Sequence, residues 1–359
     1  MSNPASTPAR LSYKGVLIAL CLGSVFCVAL AEIGLRIINP HWQEFYSGRF
    51  LESTFVPGYG SVFVGRAGFD GFFSQNNGDF RARIQINAAG LRNPEPVEKA
   101  DGRNWIIGDS MAFGWGVEWP ETYTSVAGRL SGQPIYNVAS PGTDVCGYQA
   151  LVARMPKNVR PRAVVVGLIL ENDIHAYDCP RGTGPTSPPT VPQTEDTFWF
   201  LNLLQIKYAL TGSSALYNLI TTASKRSDLF SEFLIVTGLI ERPHIYRGNF
   251  DLVETKKRVS RTIAELVFLK SMFPADTPFT ILICPARFEV RDDDPFFAGL
   301  RASLKTRLAA AGIDTIDAMP ALKKVGFAVG HFAHDGHWSV AGHNVVGKLV
   351  AERLKQMMN

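Results

Sequence analysis

Four short stretches of this chain carry residues able to act on an ester or amide bond. "GDSMAFGWG" at 108–116 surrounds Ser110 with Gly108, Gly114 and Gly116, so the backbone can turn sharply and leave a hydroxyl in the open. "NVASPGTD" at 137–144 offers Gly142, whose backbone N–H a ligand can approach without side-chain obstruction. "LILENDI" at 168–174 offers the Asn172 amide, a donor for a carbonyl oxygen. "HFAHDGHWSVAGH" at 331–343 holds four of the seven histidines and sets Asp335 two residues before His337. Singly, each has an ordinary explanation: a helix cap for Ser110, a Pro-Gly turn for Gly142, local turn bonding for Asn172. Together they supply a nucleophile, a general base with its orienting carboxylate, and oxyanion donors.

The elements that must bring these stretches together are legible as apolar runs. "NWIIG" (104–108), "PIYNVA" (134–139), "AVVVGLIL" (163–170), "FTILIC" (279–284) and "IDTID" (313–317) recur with helical intervals between them. Continuous apolar strands alternating with helices predict an α/β fold whose parallel sheet is covered on both faces. In such a sheet the site lies outside the carboxyl ends of the strands. Ser110, Gly142 and Asn172 each follow a predicted strand, and the Asp335/His337 stretch precedes the last helix. Helices are expected at 122–132, 252–273, 295–312 and 339–358. In the second of these, Val259, Ile263, Leu266, Val267 and Lys270 should form the buried face, the lysine snorkelling out.

At the N-terminus, Arg10 and Lys14 precede a charge-free run at 15–31 that is long enough for a marginal membrane span. Leading positive charge places residues 1–14 in the cytoplasm and the rest in the periplasm or extracellular space. "ALA" at 29–31 also fits a signal-peptidase site, but "EIGLRII" continues the apolar pattern past it and favours an uncleaved anchor over 15–38. A Gly-, Phe-, Asn- and Arg-rich lead-in, β-rich or irregular, is expected over 39–102, and the catalytic domain over 103–359. The interval 175–250 breaks the strand–helix alternation, with a Pro-rich loop at 179–193 and apolar helical material at 198–212. It reads as a helical insertion, packed on the domain, closing as a lid or resting on a membrane.

Composition bounds the function. With 46% hydrophobic and 19% charged residues the chain can bury a large core. A formal charge of +4, with no long basic run, excludes the electrostatic footprint of a nucleic-acid binder. Cys21 and Cys27 lie in the apolar segment and Cys284 in a predicted strand. Cys146 and Cys179 follow strands, and an oxidising compartment could join them. His331, His334, Asp335, His337 and His343 could ligate zinc. However, His343 falls in the final helix and a metal leaves Ser110 without a role, so no metal or cofactor is expected. No motif specifies a protein partner.

Taken in order, "GDS", Gly142, the "ND" pair at 172–173 and the Asp335/His337 block resemble the SGNH (GDSL-type) hydrolases over roughly 103–358. The resemblance implies a three-layer α/β/α flavodoxin-like domain. It also implies catalytic Ser110, Asp335 and His337, with an oxyanion hole from Ser110, Gly142 and Asn172. "AEIGLRI" (31–37), "INAAGLRNPE" (86–95) and "GDSMAFGWGVEWPETY" (108–123) are similar to membrane-anchored, exported members. Two positions depart from the pattern. Glu171 stands where glycine is usual before the asparagine, and the last block is "DGHW" rather than Asp-x-x-His. The "DGHW" form resembles polysaccharide O-acetyltransferases of the alginate-modifying type. The implied activity is ester hydrolysis, with an O-acetylated carbohydrate as substrate, and the alternatives are acyl transfer onto a polysaccharide or a non-catalytic binding or assembly role. Trp115, Glu171, Asp173 and Trp338 are the candidate substrate contacts.

Overall fold

The computed structural model describes residues 13–75, 78–188, 210, 212–225, 236 and 252–357. The Pro-rich loop beyond 188 and most of the apolar helical stretch at 198–212 lie outside the described residues. The chain divides into two units, one of 1–45 and 194–240, the other of 46–193 and 241–359.

In the first unit, Tyr13–Ile38 is a single helix, long and apolar enough by length and composition to cross a membrane. Its Glu32 carboxylate accepts from the backbone N–H groups of Ala215 and Leu216 and from the Ser214 hydroxyl. These are the free donors at the start of helix Ala215–Lys225, so the acid caps that helix.

The second unit opens with two antiparallel hairpins: β1 (Leu51–Val56) with β2 (Gly60–Gly65), and β3 (Asp70–Ser74) with β4 (Arg81–Gln85). Along β4, Ala82 and Ile84 point inward while Arg81, Arg83 and Gln85 face water, the period-2 pattern of a half-covered strand.

A five-stranded parallel sheet follows: β5 (Asn104–Ile107), β6 (Ile135–Asn137), β7 (Ala163–Ile169), β8 (Phe279–Cys284) and β9 (Asp314–Asp317). The spatial order is β6-β5-β7-β8-β9, the flavodoxin-like arrangement, and every pairing is parallel. All seven residues of β7 and all six of β8 are buried. Alternate residues feed two separate cores, which is what makes three layers. Trp105, Ile107, Val164, Val166, Leu168, Ile281 and Ile283 pack with helices Val145–Ala153, Leu252–Ser271 and Pro295–Ala310. Ile106, Val165, Ile169, Leu282 and Cys284 pack with Tyr123–Ser131, Met319–Val325 and Val340–Gln356.

The buried face of helix Leu252–Ser271 keeps Val259 and Leu266 of its aliphatic stripe but is shifted toward Thr262, Glu265 and Leu269. Val259, Thr262, Glu265, Leu266 and Leu269 are buried, whereas Val267 is 44% exposed. The reason is polar. Glu265 accepts from Gln149 and from both Nε and Nη2 of Arg181, and these partners draw it into the core with Thr262 beside it. Cys146 and Cys179 form a disulfide across a separation of 33 residues, a closure that stabilises by about 3–4 kcal/mol in the chain-entropy picture.

Candidate active site

Ser110 is placed by the abrupt end of β5. The chain leaves the strand at Ile107, and at Gly108 an added Cβ would fall 2.7 Å from the Ala112 Cβ, so only glycine lets the following turn fold back this tightly. Asp109 then caps helix Ser110–Phe113, its carboxylate accepting from Met111 N–H at 2.9 Å. The cap is therefore Asp109, and Ser110 is the first helical residue with its side chain free for other work. Burial pushes the Asp109 carboxyl up to about 6, against the opposing pull of the Met111 N–H, His337 and the Asn172 side chain.

The turn after Ser110 is held from the lead-in segment. Arg92 is fully buried and donates to the carbonyls of Phe113, Gly114, Val117 and Arg83. Burial without a bonded carboxylate lowers this guanidinium to about 10. Asn93 exchanges hydrogen bonds with the Asn137 backbone, and the Asn137 amide donates to Ala112 O at 2.8 Å. Sequence reasoning picked out "INAAGLRNPE" only as a resemblance. The buried arginine within it fixes the turn that follows Ser110.

The histidine comes from the segment before the last helix. An isolated bridge pairs His331 with Trp338 and closes the intervening loop. Within it, Asp335 Oδ1 accepts from His337 N–H at 3.1 Å, so the two residues meet through a tight Asx-type turn rather than along an extended strand. His337 Nδ1 hydrogen-bonds the same Asp335 oxygen, and His337 Nε2 lies 2.7 Å from Ser110 Oγ. Burial would raise the Asp335 carboxyl, but hydrogen bonds from His337 and Gln75 outweigh it and hold the group below the ordinary carboxylate range. It is thus ionised behind the imidazole.

Ser110, Met111, Ile169, Glu171, Asn172, Pro285, Arg287, His331 and the 335–337 loop line one cleft. Of the predicted site residues, Ser110, Asn172, Glu171, Asp335 and His337 meet there. Gly142 has φ +72° and is exposed beside Phe63, apart from this lining. Glu171 is 7% exposed and salt-bridged to Arg287, whose Nε lies 2.8 Å from Oε2 and whose backbone N–H also donates to it. Arg287, absent from the sequence-level candidates, starts helix Arg287–Asp292 just after β8 and lies against Gly336. Its position after a strand end was the available signal.

Two of the predicted substrate contacts, Trp338 and Asp173, lie in the interior and outside the cleft lining. Trp338 is fully buried, edge-on to Tyr123 and His343, because the His331–Trp338 bridge turns it into the core. Asp173 is fully buried, accepting from Tyr148 Oη at 2.9 Å and from Ile169 N–H at 2.7 Å. Burial and the neighbouring Asp109 raise its carboxyl well above the usual range. Trp115 is half-buried and packs behind His337 instead of lining the cleft.

The remaining histidines are dispersed. His334 bonds Asp79 through both its backbone N–H and its ring. His331 stacks on Phe327 and burial lowers it to about 4. His343 stacks on Tyr123 inside the core. Among the described residues, no group of three or more His, Cys, Asp or Glu side chains is arranged to hold a metal.

No protein-family model and no curated protein sequence matches the chain. Among solved structures it is similar to a lipase/acylhydrolase from Enterococcus faecalis, with 14% identity over 71% of this chain and 96% of that one, TM-score 0.41. It is also similar to a member of the lipolytic G-D-S-L family from Veillonella parvula, with 13% identity over 70% and 96%, TM-score 0.38. A third is a carbohydrate esterase family 2 enzyme with a carbohydrate-binding domain from Corynascus thermopiles (Myceliophthora fergusii), with 15% identity over 74% and 68%, TM-score 0.36.

Proposed function

We propose that the chain is a serine esterase of the SGNH type that removes acetyl groups from an O-acetylated carbohydrate outside the cytoplasm, tethered by its N-terminal helix. The observation that carries this reading is the 2.7 Å approach of His337 Nε2 to Ser110 Oγ, with Asp335 on the far ring nitrogen. In the tautomer with hydrogen on Nδ1, Nε2 accepts the Ser110 proton as Oγ bonds to the ester carbonyl carbon. Asp335 fixes that tautomer and stabilises the imidazolium. The developing oxyanion is held by the Ser110 N–H and the Asn172 amide, the two expected donors that line the cleft, and Gly142, outside that lining, is left out of the scheme. Loss of one such donor costs about 2.7–4 kcal/mol of barrier. Collapse breaks the ester C–O bond, and His337 returns its proton to the leaving alcohol. Water then repeats the sequence on the acyl-serine and releases acetate.

The substrate and location rest on further features. The Glu171/Arg287 wall makes the cleft beside Ser110 polar, which suits a hydroxyl-bearing ester better than a long acyl chain. The apolar helix Tyr13–Ile38 and the Cys146–Cys179 disulfide are consistent with an anchored, exported protein.

Acyl transfer to a sugar hydroxyl is the second reading, favoured by the "DGHW" block. Incubating the protein with an acetyl ester and an oligosaccharide separates the two. Free acetate in excess supports hydrolysis, and acetylated oligosaccharide in excess overturns it. A folded protein whose Ser110 resists a fluorophosphonate probe would instead support a non-catalytic binding role.

A further inference from the structure

Each oxygen of Asp335 has its own partner. Oδ1 accepts from the His337 ring and backbone, and Oδ2 accepts from the Gln75 side-chain amide. Gln75 is the residue immediately after β3, 260 positions earlier in the chain, and belongs to the lead-in hairpins rather than to the five-stranded unit that supplies Ser110 and His337.

The contact is part of a larger clamp. Asp79, from the same hairpin end, takes hydrogen bonds from the backbone and ring of His334. Phe80 packs against Phe332 at 5.1 Å between ring centres. Gln75, Asp79 and Phe80 therefore grip the 332–335 stretch at three points, and the loop carrying Asp335 and His337 has these three residues as its outer wall. On its other side, the Arg287 guanidinium lies against Gly336.

We propose that Gln75 is a positioning residue for catalysis: its amide holds the Asp335 carboxylate in the rotamer and charge state that orient His337 toward Ser110, which makes the lead-in hairpin a working part of the active site. The inference rests on the serine-esterase reading above. Chemically, an imidazole is oriented well only if its carboxylate partner is itself fixed. Oδ1 alone leaves Asp335 free to swing about its Cβ–Cγ bond, whereas an N–H donor on Oδ2 locks the plane of the group. The same donor stabilises the ionised carboxylate, and Asp335 must be ionised to support an imidazolium.

The test uses the full chain in detergent micelles with p-nitrophenyl acetate. Gln75→Met keeps length and approximate volume while removing the donor, and Gln75→Glu keeps shape while replacing the donor with a second acid. Both should lower kcat by roughly ten- to a hundredfold, the worth of one hydrogen bond to a charged group, with KM changed less than about twofold. Without the donor more uncompensated negative charge rests on Asp335 and favours the protonated form of the imidazole beside it, so the acid limb of the kcat profile, where the free base is lost, should move upward, more in Gln75→Glu than in Gln75→Met. A merely structural role would lower the unfolding midpoint without shifting that limb. If the parent protein hydrolyses the ester and Gln75→Met, or Gln75→Glu should the first variant not fold, retains the parent kcat and acid limb, the positioning role is refuted while the esterase reading stands. If the parent protein neither turns over the ester nor labels at Ser110, both fall.

Discussion

The indole of Trp115 lies against the imidazole of His337, with ring centres 5.6 Å apart and planes at 28°. Trp115 also donates its backbone N–H to Ser110 O at 3.0 Å, so one turn carries Ser110 and braces His337. Phe73 backs the indole edge-on at 4.5 Å. Replacing Trp115 with alanine should free the imidazole to rotate and lower kcat on p-nitrophenyl acetate by roughly tenfold, about 1.4 kcal/mol. Trp115→Phe, which keeps an aromatic face on the ring, should lose less. An unchanged kcat in the alanine variant would show that Asp335 alone suffices to hold His337.

The 2.7 Å contact between Ser110 and His337 makes the two side chains a single unit, so their losses should not add. Ser110→Ala and His337→Ala are each expected to reduce kcat at least about a thousandfold. The double variant should be scarcely worse than either. Steady-state rates and fluorophosphonate labelling check this, and losses that multiplied in the double variant would argue that the residues act separately.

Glu171 and Arg287 form a salt bridge with the acid almost fully enclosed and the guanidinium about 29% exposed. Removing Arg287 leaves a carboxylate desolvated beside the cleft, a change that costs up to roughly 3–5 kcal/mol for a fully buried pair and less here because Arg287 is partly wet. Arg287→Met should therefore lower the urea midpoint markedly. Adding Glu171→Gln to it should recover part of the loss by removing the stranded charge. Additive losses in this double-mutant cycle would mean the two groups stabilise the fold independently.

The strands were readable because burial on both faces leaves continuous apolar runs: "FTILIC" is a strand over its full length, Phe279–Cys284. The meeting of Ser110 with His337 was readable too, because strand ends dictate where a parallel sheet gathers chemistry. What escaped depends on partners far away in sequence. Glu265 looks like a surface residue until Arg181 and Gln149 meet it, and its burial shifts the inward face off Val267 toward Thr262 and Leu269. Gln75 and Arg92 have no local signature, since their roles exist only through Asp335 and the 113–117 carbonyls, and Arg287 offered only its position after a strand end until Glu171 met it. Trp338 could not be placed from sequence because a tryptophan next to His337 can face either way, and the bridge to His331 turns it inward.

Asp173 gives the fold a pH dependence of its own. Burial and the nearby Asp109 keep its carboxyl protonated well above the 3.8 of an exposed aspartate, while the unfolded chain ionises near that value. The unfolded state thus loses its proton first as pH rises, and the folded state is progressively penalised from about pH 4 upward. Asp173→Asn, which cannot ionise and still accepts from Tyr148 and Ile169, should raise the urea midpoint at pH 7 relative to the parent and leave pH 4 little changed. Equal midpoints at pH 7 would place an ionised, well-compensated carboxylate at this position.

His343 works in the opposite direction. Its ring is buried against Tyr123 and Trp338, Nδ1 accepts the Tyr123 N–H at 3.2 Å, and Nε2 has no hydrogen-bond partner. Burial is the first cause that lowers it from 6.5 to about 3, with the Arg92 and His337 charges adding to it. Its folded value lies below its unfolded one, so its contribution is intact above pH 6.5. It is lost as pH falls from there toward 3, because the unfolded chain takes up a proton that the folded core refuses. The loss is on the order of a few kcal/mol across that window. His343→Gln can keep an acceptor for the Tyr123 N–H but takes up no proton. It should show a smaller drop in urea midpoint between pH 7.5 and pH 5 than the parent protein does. If the two drops are the same, protonation of His343 contributes nothing to acid unfolding, and the loss of stability in that range belongs to His331 or to the carboxylates.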